Sequence, residues 1–411
     1  MRALRLSSWA IVMACLLALL AAGQRAVFAI EAEMYPVPEK THSGAGWTAI
    51  QYGLDGKVYV GTGNYGHSGH LVCFDPETKE WKDIIDAHQV TRENGTGLDS
   101  QGKFHAKPQV DADGVIWAGT LQAIVDVANR AENGEDATGY PGGHLFSYDP
   151  KTGVVRDHGI LKKQQGIMGG AIDRERRRLY YWSYPKLHFL IYDIEANTLR
   201  DLGQIGGGPR YMAIDPKGRV FGMGRFGIFW MYDPETDRLY DLAVQVRGDG
   251  EHQEPYVIVM SADGERIFAS AIQGEYVMEF DLKSIDLKAE VPGADGTIVC
   301  YNVCRSIPEP LKPGDQHAGA LGKDGRYYYT NPAGGGTHLI RYDPQERAIE
   351  DLGVITIKGN PELNPTDAPQ LAQGACVGTD GTLYMMFIQH KKLPYCVLVF
   401  DKLTAPKGED E

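Results

Sequence analysis

A short signature recurs along this chain and constrains its fold more than any other feature. Each copy is a strand-like run that ends in an aromatic residue and an aspartate, usually followed by proline. The seven copies are CFDPET (73–78), SYDPKT (147–152), IYDIEA (191–196), MYDPET (231–236), EFDLKS (279–284), RYDPQE (341–346) and VFDKLT (399–404). Such self-similarity indicates an architecture in which each unit packs mainly against its neighbours.

A tight turn, most often containing Asp-Gly, precedes each signature. These turns lie at 54–56, 112–114, 173–178, 216–218, 262–264, 323–325 and 379–381. Asp-Gly supplies the positive φ that a short hairpin needs, and Asp-Pro ends a strand and begins another turn. Each unit is therefore predicted to be a four-stranded antiparallel sheet.

Seven such sheets can bury their faces by packing around a common axis. The sequence thus predicts an all-β, seven-bladed β-propeller over residues 30–404, followed by an acidic tail at 405–411. The last unit lacks a fourth strand, because the chain runs out in APKGEDE. Residues 31–39 belong to no unit, so we expect them to supply that outer strand and close the ring.

Residues 1–29 read as a cleavable signal peptide. Arginines open the segment, an apolar run follows from Trp9 to Ala22, and Val27-Phe28-Ala29 fits a cleavage site. A lipoprotein signal ending at Cys15 is the alternative, but a strongly apolar run would then directly follow the lipidated cysteine. No later stretch is apolar for long enough to span a membrane. We therefore expect a secreted or periplasmic protein.

The charge of the chain limits its partners. The formal net charge is −13, and the predicted leader carries three arginines and no acid, so the mature chain is more acidic still. Such a chain repels nucleic acid and anionic lipid, which argues against both as partners. It would repel an acidic polysaccharide too, unless a local basic pocket outweighs the global field. We expect a monomer.

Five of the six cysteines lie after the predicted leader. An odd number argues against a disulfide framework. A bridge between Cys300 and Cys304, and free thiols at both positions, remain open alternatives.

One position repeats a histidine. Five residues before the signature aspartate, four units carry His70, His144, His188 and His338. Recurrence in several blades predicts a hydrogen-bonding role within the sheet. The alternative is that these histidines surround the channel mouth and bind metal or substrate.

Another position does not repeat at all. Eight residues before the glycine of each first turn, the units carry Thr48, Ala106, Met168, Arg210, Tyr256, His317 and Gln373. This position begins the strand that lines the axial channel. Core packing would favour similar apolar residues throughout, so the variety points to function.

His105 lies one residue before this position and has no counterpart in the other units. Pro108 follows closely, and proline in a strand usually marks a bulge or an edge. A bulge would turn His105 toward the channel mouth; a histidine capping a local turn is the alternative. Long insertions at 121–144, 294–316 and 358–371 fall on the same face, where loops usually carry function.

Three stretches resemble a known group of proteins. GKFH (102–105), GYPGGHLFSYDP (139–150) and GGPRYMAIDPKGR (207–219) resemble secreted bacterial seven-bladed propellers. Among these are propeller-fold polysaccharide lyases that cut uronic-acid glycans and, more distantly, streptogramin-lyase-like propellers. The resemblance implies an acidic carbohydrate substrate and β-elimination next to a uronate.

β-Elimination needs a cation for the carboxylate, a base for the C5 proton and an acid for the leaving oxygen. The resemblance assigns Arg210 as the cation, His105 or His317 as the base, and Tyr211 or Tyr184 as the acid. The sugar-binding candidates are His67, Tyr140, His144, Arg225, Tyr256 and Gln373.

The residues themselves require no cofactor. Some related lyases use a divalent metal such as Mn, Ca or Mg held by histidines, and the candidate ligands here are Gln316, His317, His338 and His390. Two other functions stay open: a non-catalytic glycan-binding or scaffold propeller, and a metal-dependent lactonase-like hydrolase. Binding without product would indicate the former, and bound metal the latter.

Overall fold

The chain is built almost entirely of short strands. The computed structural model describes residues 28–406 except 94, 96–98, 123–139, 206–210, 224–228, 243–253, 273–275, 286, 288–290, 293–297, 300–303, 309–317, 367 and 369–370. The side chains of several blade 5 strand residues, including Tyr256, also lie outside this description. The described helical segments are an α-helix at Ala87–Thr91 and 3-10 turns at Glu39–Thr41, Leu282–Ser284 and Pro361–Leu363.

The strands form seven antiparallel blades around one axis, two of which share a sheet, and this confirms the seven-bladed β-propeller. The first strand, β1 (Ala29–Pro36), precedes them all. Blade 1 contains β2 (Ile50–Tyr52), β3 (Val58–Gly61), β4 (His70–Asp75) and β5 (Glu80–Asp86). Blade 2 contains β6 (Lys103–Phe104), β7 (Gln109–Val110), β8 (Ile116–Leu121), β9 (His144–Asp149) and β10 (Val154–Ile160). Blade 3 contains β11 (Gly166–Asp173), β12 (Arg178–Tyr184), β13 (His188–Asp193) and β14 (Thr198–Gln204).

The remaining blades follow the same order. Blade 4 contains β15 (Ala213–Ile214), β16 (Val220–Met223), β17 (Phe229–Asp233) and β18 (Arg238–Asp241). Blade 5 contains β19 (Glu254–Met260), β20 (Arg266–Ile272), β21 (Tyr276–Asp281) and β24 (Cys304–Pro308), with a hairpin of β22 (Val291–Pro292) and β23 (Ile298–Val299) inserted. Blade 6 contains β25 (Gly319–Leu321), β26 (Tyr327–Ala333), β27 (Gly336–Asp343) and β28 (Ala348–Ile357). Blade 7 contains β29 (Ala372–Val377), β30 (Leu383–Phe387) and β31 (Cys396–Phe400).

The amino-terminal strand closes the ring, as the sequence predicts. Residues Glu33–Pro36 of β1 pair antiparallel with β31 and form the outer strand of blade 7. Residues Ala29–Ala32 pair parallel with β28 of blade 6. The two blades thereby share one eight-stranded sheet. The closing strand lies slightly earlier in the chain than the predicted 31–39.

The repeated signature is a turn that the aspartate organises. Asp75, for example, accepts hydrogen bonds from the backbone N–H groups of Glu77 and Thr78, and Asp343 does the same for Gln345. These contacts end the third strand and start the turn to the fourth. The third strands are buried on both faces, whereas outer strands such as β5 and β10 are largely exposed. Packing between blades therefore supplies the core.

The four repeated histidines each pair with an aspartate on the outer strand. The Nδ1 atom lies 2.9–3.2 Å from both carboxylate oxygens in every pair. The pairs are His70–Asp83, His144–Asp157, His188–Asp201 and His338–Asp351. In three of them the aspartate also accepts the N–H of a glycine two residues later, at Gly159, Gly203 and Gly353. The repeated histidines therefore hydrogen-bond within the sheet, as their recurrence predicts.

Candidate functional site

A cavity of about 620 Å³ occupies the axis of the propeller. Each of the seven blades contributes wall residues from its innermost strand or from the turn that follows it. Representative wall residues are Gln51, Lys107, Ala171, Tyr211, Val259, Leu321 and Cys376. This axial channel is a site at which several blades can contact one ligand.

The channel wall is basic, although the chain is acidic. Lys107, Arg174 and Lys323 line it, and no described aspartate or glutamate does. Arg174 and Lys323 lie in first turns, at one end of the channel. A basic pocket of this kind is what an acidic chain needs to bind an anion against its own field.

Lys107 is the cation farthest from those first turns. Its Nζ atom lies 3.3 Å from the carbonyl oxygen of Ala375 and 5.8 Å from the ring centroid of Tyr211. No described carboxylate pairs with it. Burial lowers the pKa of Lys107, and the neighbouring Cys376 opposes this only in part. The ammonium group is thus poorly compensated by the protein itself.

β-Bulges explain the position that does not repeat. In blades 3, 5 and 7 the register of the inner strand slips by one residue, and the extra residues are Met168, Tyr256 and Gln373. All three belong to the variable position at the start of the inner strand. A bulged residue is released from the regular ladder, which lets each blade carry a different side chain there.

Blade 2 has the wider insertion that Pro108 predicts. Phe104 pairs with Thr120 and Gln109 pairs with Trp117, so residues 105–108 face only residues 118–119. Blade 1 has the same two-residue excess at 46–49, between the pairs Ala45–Gly63 and Ile50–Val60. The segment His105-Ala106-Lys107-Pro108 is therefore a loop within the channel wall rather than a continuous strand.

His105 joins the bulges of three successive blades. The side-chain hydroxyl of Thr48 donates to the His105 carbonyl at 2.8 Å, and the Nδ1 atom of His105 lies 2.8 Å from the carbonyl of Met168. The ring stacks on Trp47, with centroids 5.9 Å apart and an interplanar angle of 22°. His105 is only 1% exposed, so it is held rigidly beneath this tryptophan.

The hydrogen bond to Met168 fixes the state of the His105 ring. A carbonyl oxygen can only accept, so Nδ1 carries the proton, and in the neutral ring Nε2 bears the lone pair. This tautomer is the one that a general base working through Nε2 requires.

An aromatic and cationic group lies beside His105. The Nζ atom of Lys103 is 5.2 Å from the centroid of Trp47 and 6.0 Å from that of Tyr65. Sugar rings commonly pack on exposed aromatic faces, and both aromatic side chains are partly exposed.

Tyr140 and His144 belong to a buried network between blades 1 and 2. The Tyr140 hydroxyl donates to the side-chain oxygen of Gln101, whose amide group donates to Glu93. His144 contacts Asp157 through Nδ1 and Glu93 through Nε2, each at 2.9 Å. Burial alone would lower the pKa of His144, but the two carboxylates outweigh it and raise that pKa. Both groups are engaged by the protein in this structure.

The other predicted residues are spread over the molecule. His67 is exposed, Tyr184 packs edge-on against Trp182, and Gln373 is fully buried. His390 lies in a bridge with Leu393, apart from the pair formed by His338 and Asp351. Arg210, Arg225, Gln316 and His317 lie outside the described residues, so their roles stay predictions. Of the proposed catalytic residues, the structure places the Tyr211 ring 5.8 Å from the Lys107 Nζ atom and His105 against Met168 of blade 3.

Lys107 is the candidate that sequence reasoning missed. Counting a fixed number of residues from the turn selected Ala106, because the two extra residues of the bulge were not included. The signal that could have found it is a lysine immediately before the proline that marks the bulge.

The described residues contain no group of three or more His, Cys, Asp or Glu side chains that could hold a metal ion. No helix among them is long and apolar enough to cross a membrane. Cys73, Cys376 and Cys396 are buried free thiols, and Cys300 lies outside the description.

Comparison with known proteins supports the fold. No protein-family model and no curated protein sequence matches the chain. Among solved structures, the WD40 repeats of RRP9 align with a TM-score of 0.60 at 10% identity, covering 91% of this chain and 98% of that one. Virginiamycin B lyase from Staphylococcus aureus aligns with a TM-score of 0.56 at 10% identity, covering 90% and 98%.

The extracellular domain of a putative hybrid two-component system from B. thetaiotaomicron aligns with a TM-score of 0.56 at 9% identity. This alignment covers 90% of the present chain and 39% of that one. At such identities the likeness establishes a β-propeller and nothing finer.

Proposed function

We propose that this protein is an exported lyase that cleaves an acidic glycan next to a uronic acid by β-elimination, at the axial channel that Lys107 lines, with His105, two residues earlier in the same bulge, as the base. The observation that carries the proposal is the Lys107 ammonium group, which lines the channel without a described carboxylate partner. The solved structures with this fold include both a lyase and an extracellular domain, so the fold is compatible with such a role.

Lys107 supplies what the reaction needs first. Removing the proton at C5 creates an enolate-like charge on the uronate carboxylate, and a fixed cation stabilises that charge most where water is excluded. Among described residues the protein leaves this cation uncompensated, and the substrate carboxylate would complete the pair. Arg210, outside the description, remains the second candidate for this role.

His105 supplies the base. Its Nδ1–H bond to Met168 orients the ring and puts the lone pair on Nε2, the atom to which we assign the C5 proton. Tyr211 lines the channel with its ring centroid 5.8 Å from the Lys107 Nζ atom, and we assign to its phenol the protonation of the leaving glycosidic oxygen. Every step uses side chains of this chain alone.

The test is incubation with a panel of uronate-containing glycans while the ultraviolet absorbance of the unsaturated product is recorded. We expect product with the wild type and losses of at least about 100-fold in kcat/KM for His105→Ala and Lys107→Met, the scale typical of acid–base and charge-stabilising groups. Lys82→Met, at an exposed site on β5, is the matched control and should keep full activity.

Two results would contradict the assignment. If Lys107→Met kept wild-type activity on a cleaved glycan, the channel cation would not serve the reaction. If no uronate glycan in the panel were cleaved, the lyase proposal would fail.

A binding role without catalysis is the second candidate. It is favoured by the Trp47, Lys103 and Tyr65 group, which offers aromatic faces and a cation but no acid–base pair. Saturable glycan binding that Trp47→Ala weakens, with no product after long incubation, would identify this function.

A further inference from the structure

A second cavity, of about 380 Å³, lies between blades 2 and 3 and is lined by none of the axial-channel residues. Strands β8, β9 and β10 of blade 2 and its first turn, with Asp111 and Asp113, form most of the wall, and Arg177 and Ile194 of blade 3 form the rest. Ser147 and His158 both line this cavity and are in direct contact.

A chain of hydrogen bonds runs from the serine through the histidine. The Oγ atom of Ser147 lies 2.8 Å from Nε2 of His158, and Nδ1 of His158 lies 3.1 Å from the hydroxyl of Tyr192. Tyr192 in turn donates to the side-chain oxygen of Asn197.

The direction of this chain follows from its last member. An amide oxygen only accepts, so the Tyr192 proton is used there and the phenol oxygen accepts from Nδ1–H of His158. The lone pair of His158 is then on Nε2, where the Ser147 hydroxyl must donate. This is the arrangement of a nucleophile, a base and an orienting group.

The surroundings favour a neutral base beside a cation. Arg156 is the register partner of Ser147 on the adjacent strand, so the two side chains lie on the same face of the sheet. Arg156 makes no ion pair with a described carboxylate, whereas Arg177 is paired with Asp113 and Glu195. Burial lowers the pKa of His158, Asp157 opposes the shift and Arg156 adds to it.

The pair is not part of the repeat. At the place of Ser147 the other units carry Cys73, Ile191, Met231, Glu279, Arg341 and Val399. At the place of His158, three of the other paired aspartates are followed by Ile84, Leu202 and Leu352. A role in the blade scaffold would favour a recurring pair, as the His–Asp pairs demonstrate.

We propose that this cavity is a second catalytic site, which hydrolyses small carboxylic esters through Ser147 and His158. The Ser147 oxygen attacks the ester carbonyl carbon while Nε2 of His158 takes the hydroxyl proton. His158 returns that proton to the leaving alkoxide as the ester bond breaks, giving an acyl-serine and an alcohol. Water then attacks the acyl-serine, again losing its proton through His158, and releases the carboxylic acid and Ser147.

The neighbours have separate parts in this reaction. The Arg156 guanidinium lies on the side of Ser147 where it offsets the oxyanion of the tetrahedral intermediates. Tyr192 is a positioning residue, since it holds the His158 ring and does not touch the ester. The indole of Trp117, 4.7 Å from the His158 ring between centroids, provides an apolar surface for the acyl group.

The test joins covalent labelling to hydrolysis. A fluorophosphonate probe with mass spectrometry should label Ser147 in the wild type, and p-nitrophenyl acetate should be hydrolysed. We expect Ser147→Ala and His158→Gln to lower kcat/KM by at least about 100-fold. Tyr192→Phe should lower kcat with KM unchanged, which loss of packing alone would not do.

Matched controls separate this site from the rest of the molecule. Ser183→Ala removes a buried serine whose hydroxyl donates to the Gln165 side chain and accepts the backbone N–H of His188, and it should keep full hydrolysis. Lys82→Met, the exposed control on β5, should also keep it, and because ester hydrolysis and glycan cleavage are measured on different substrates, failure of the lyase proposal would leave this one intact. Melting temperatures establish whether each variant is folded. If Ser147→Ala does not fold, the residue that the probe labels in the wild type decides whether Ser147 is the nucleophile. Labelling of another residue, or no labelling and no hydrolysis by folded wild type, would overturn the proposal.

Discussion

The outer edges of the blades and the start of their inner strands use buried polar side chains in opposite ways. At the outer edges, His70, His144, His188 and His338 recur and each has an aspartate as partner. At the inner strands, bulges release one residue or more, and the side chains differ from blade to blade. His144 contacts two carboxylates, whereas Lys107 has a single carbonyl acceptor among the described residues.

The difference shows what each region contributes. A repeated histidine that pairs with an aspartate lowers the free energy of the folded state in each of the four blades that carry it. An unrepeated group without a compensating charge costs stability and is retained where a ligand can complete it. Substitutions at matched positions can test this comparison.

The glycines of the His–Asp pairs should give the largest effect. Gly353 has φ +109°, and a Cβ there would lie 2.1 Å from the backbone oxygen of Phe28, beside the closing strand. Gly203 has φ +91° with nothing within 4 Å of an added Cβ. We expect Gly203→Ala to cost roughly 1–2 kcal/mol from backbone strain and Gly353→Ala clearly more, because the backbone must also shift. Urea denaturation of both variants measures this; equal losses would contradict the predicted role of the closing strand.

Removing a paired histidine should have the next largest effect. His144→Gln leaves Asp157 and Glu93 without their shared cation, and we expect a loss of about 2 kcal/mol. His188→Gln, in a more exposed pair, should lose about 1 kcal/mol or less. Neither change should alter glycan cleavage. If both variants lost similar stability, the burial of a His–Asp pair would not determine how much the pair stabilises the fold.

The His144 contribution should depend on pH. The pKa of His144 is raised in the folded protein, so its stabilisation is complete below about pH 6.5 and disappears as the pH rises through the folded value. Burial opposes the charge on Asp157, but His144 and the Gly159 N–H lower the pKa of that carboxyl. The stabilisation from the Asp157 carboxylate is present above about pH 4 and is lost as the pH falls through the lowered pKa.

The measurement is the difference in unfolding free energy between wild type and His144→Gln across pH. We expect it to be largest between about pH 4 and 6.5 and to shrink at higher pH. A difference that is constant from acid to alkaline conditions would show that His144 stabilises the protein by packing alone.

Lys107→Met should change the free energy of unfolding least, and it should stabilise the fold where the other variants destabilise it. Because burial disfavours the charged amine, its replacement by an apolar side chain of similar length should be neutral or stabilise the fold by up to about 1 kcal/mol. The same change should remove glycan cleavage. Thermal unfolding checks the first half, and a clear loss of stability would mean that Lys107 serves the scaffold.

The fold could be predicted because its determinants are local. Each Asp-Gly turn and each Asp-Pro turn specifies its own hairpin, and seven copies confirm one another. Even the closing strand followed from counting, since one unit was a strand short. The histidine pairs were equally accessible, because recurrence at a fixed place is visible without coordinates.

The site could be predicted only in part, because its geometry depends on register. The Pro108 bulge was visible in the sequence, but its two-residue size was not, so Lys107 was passed over for Ala106. The contact between His105 and Met168 joins residues from different blades, which no local pattern specifies. The same holds for Ser147, whose partners His158 and Tyr192 come from another strand and another blade.

The shared sheet of blades 6 and 7 has a mechanical consequence. Strand β1 is hydrogen-bonded to β28 on one side and to β31 on the other, and it is the clasp of the circle. Tension applied between residue 28 and residue 406 would load that clasp before any other blade. The ring would then open at the junction of blades 6 and 7, with the remaining blades still packed against one another.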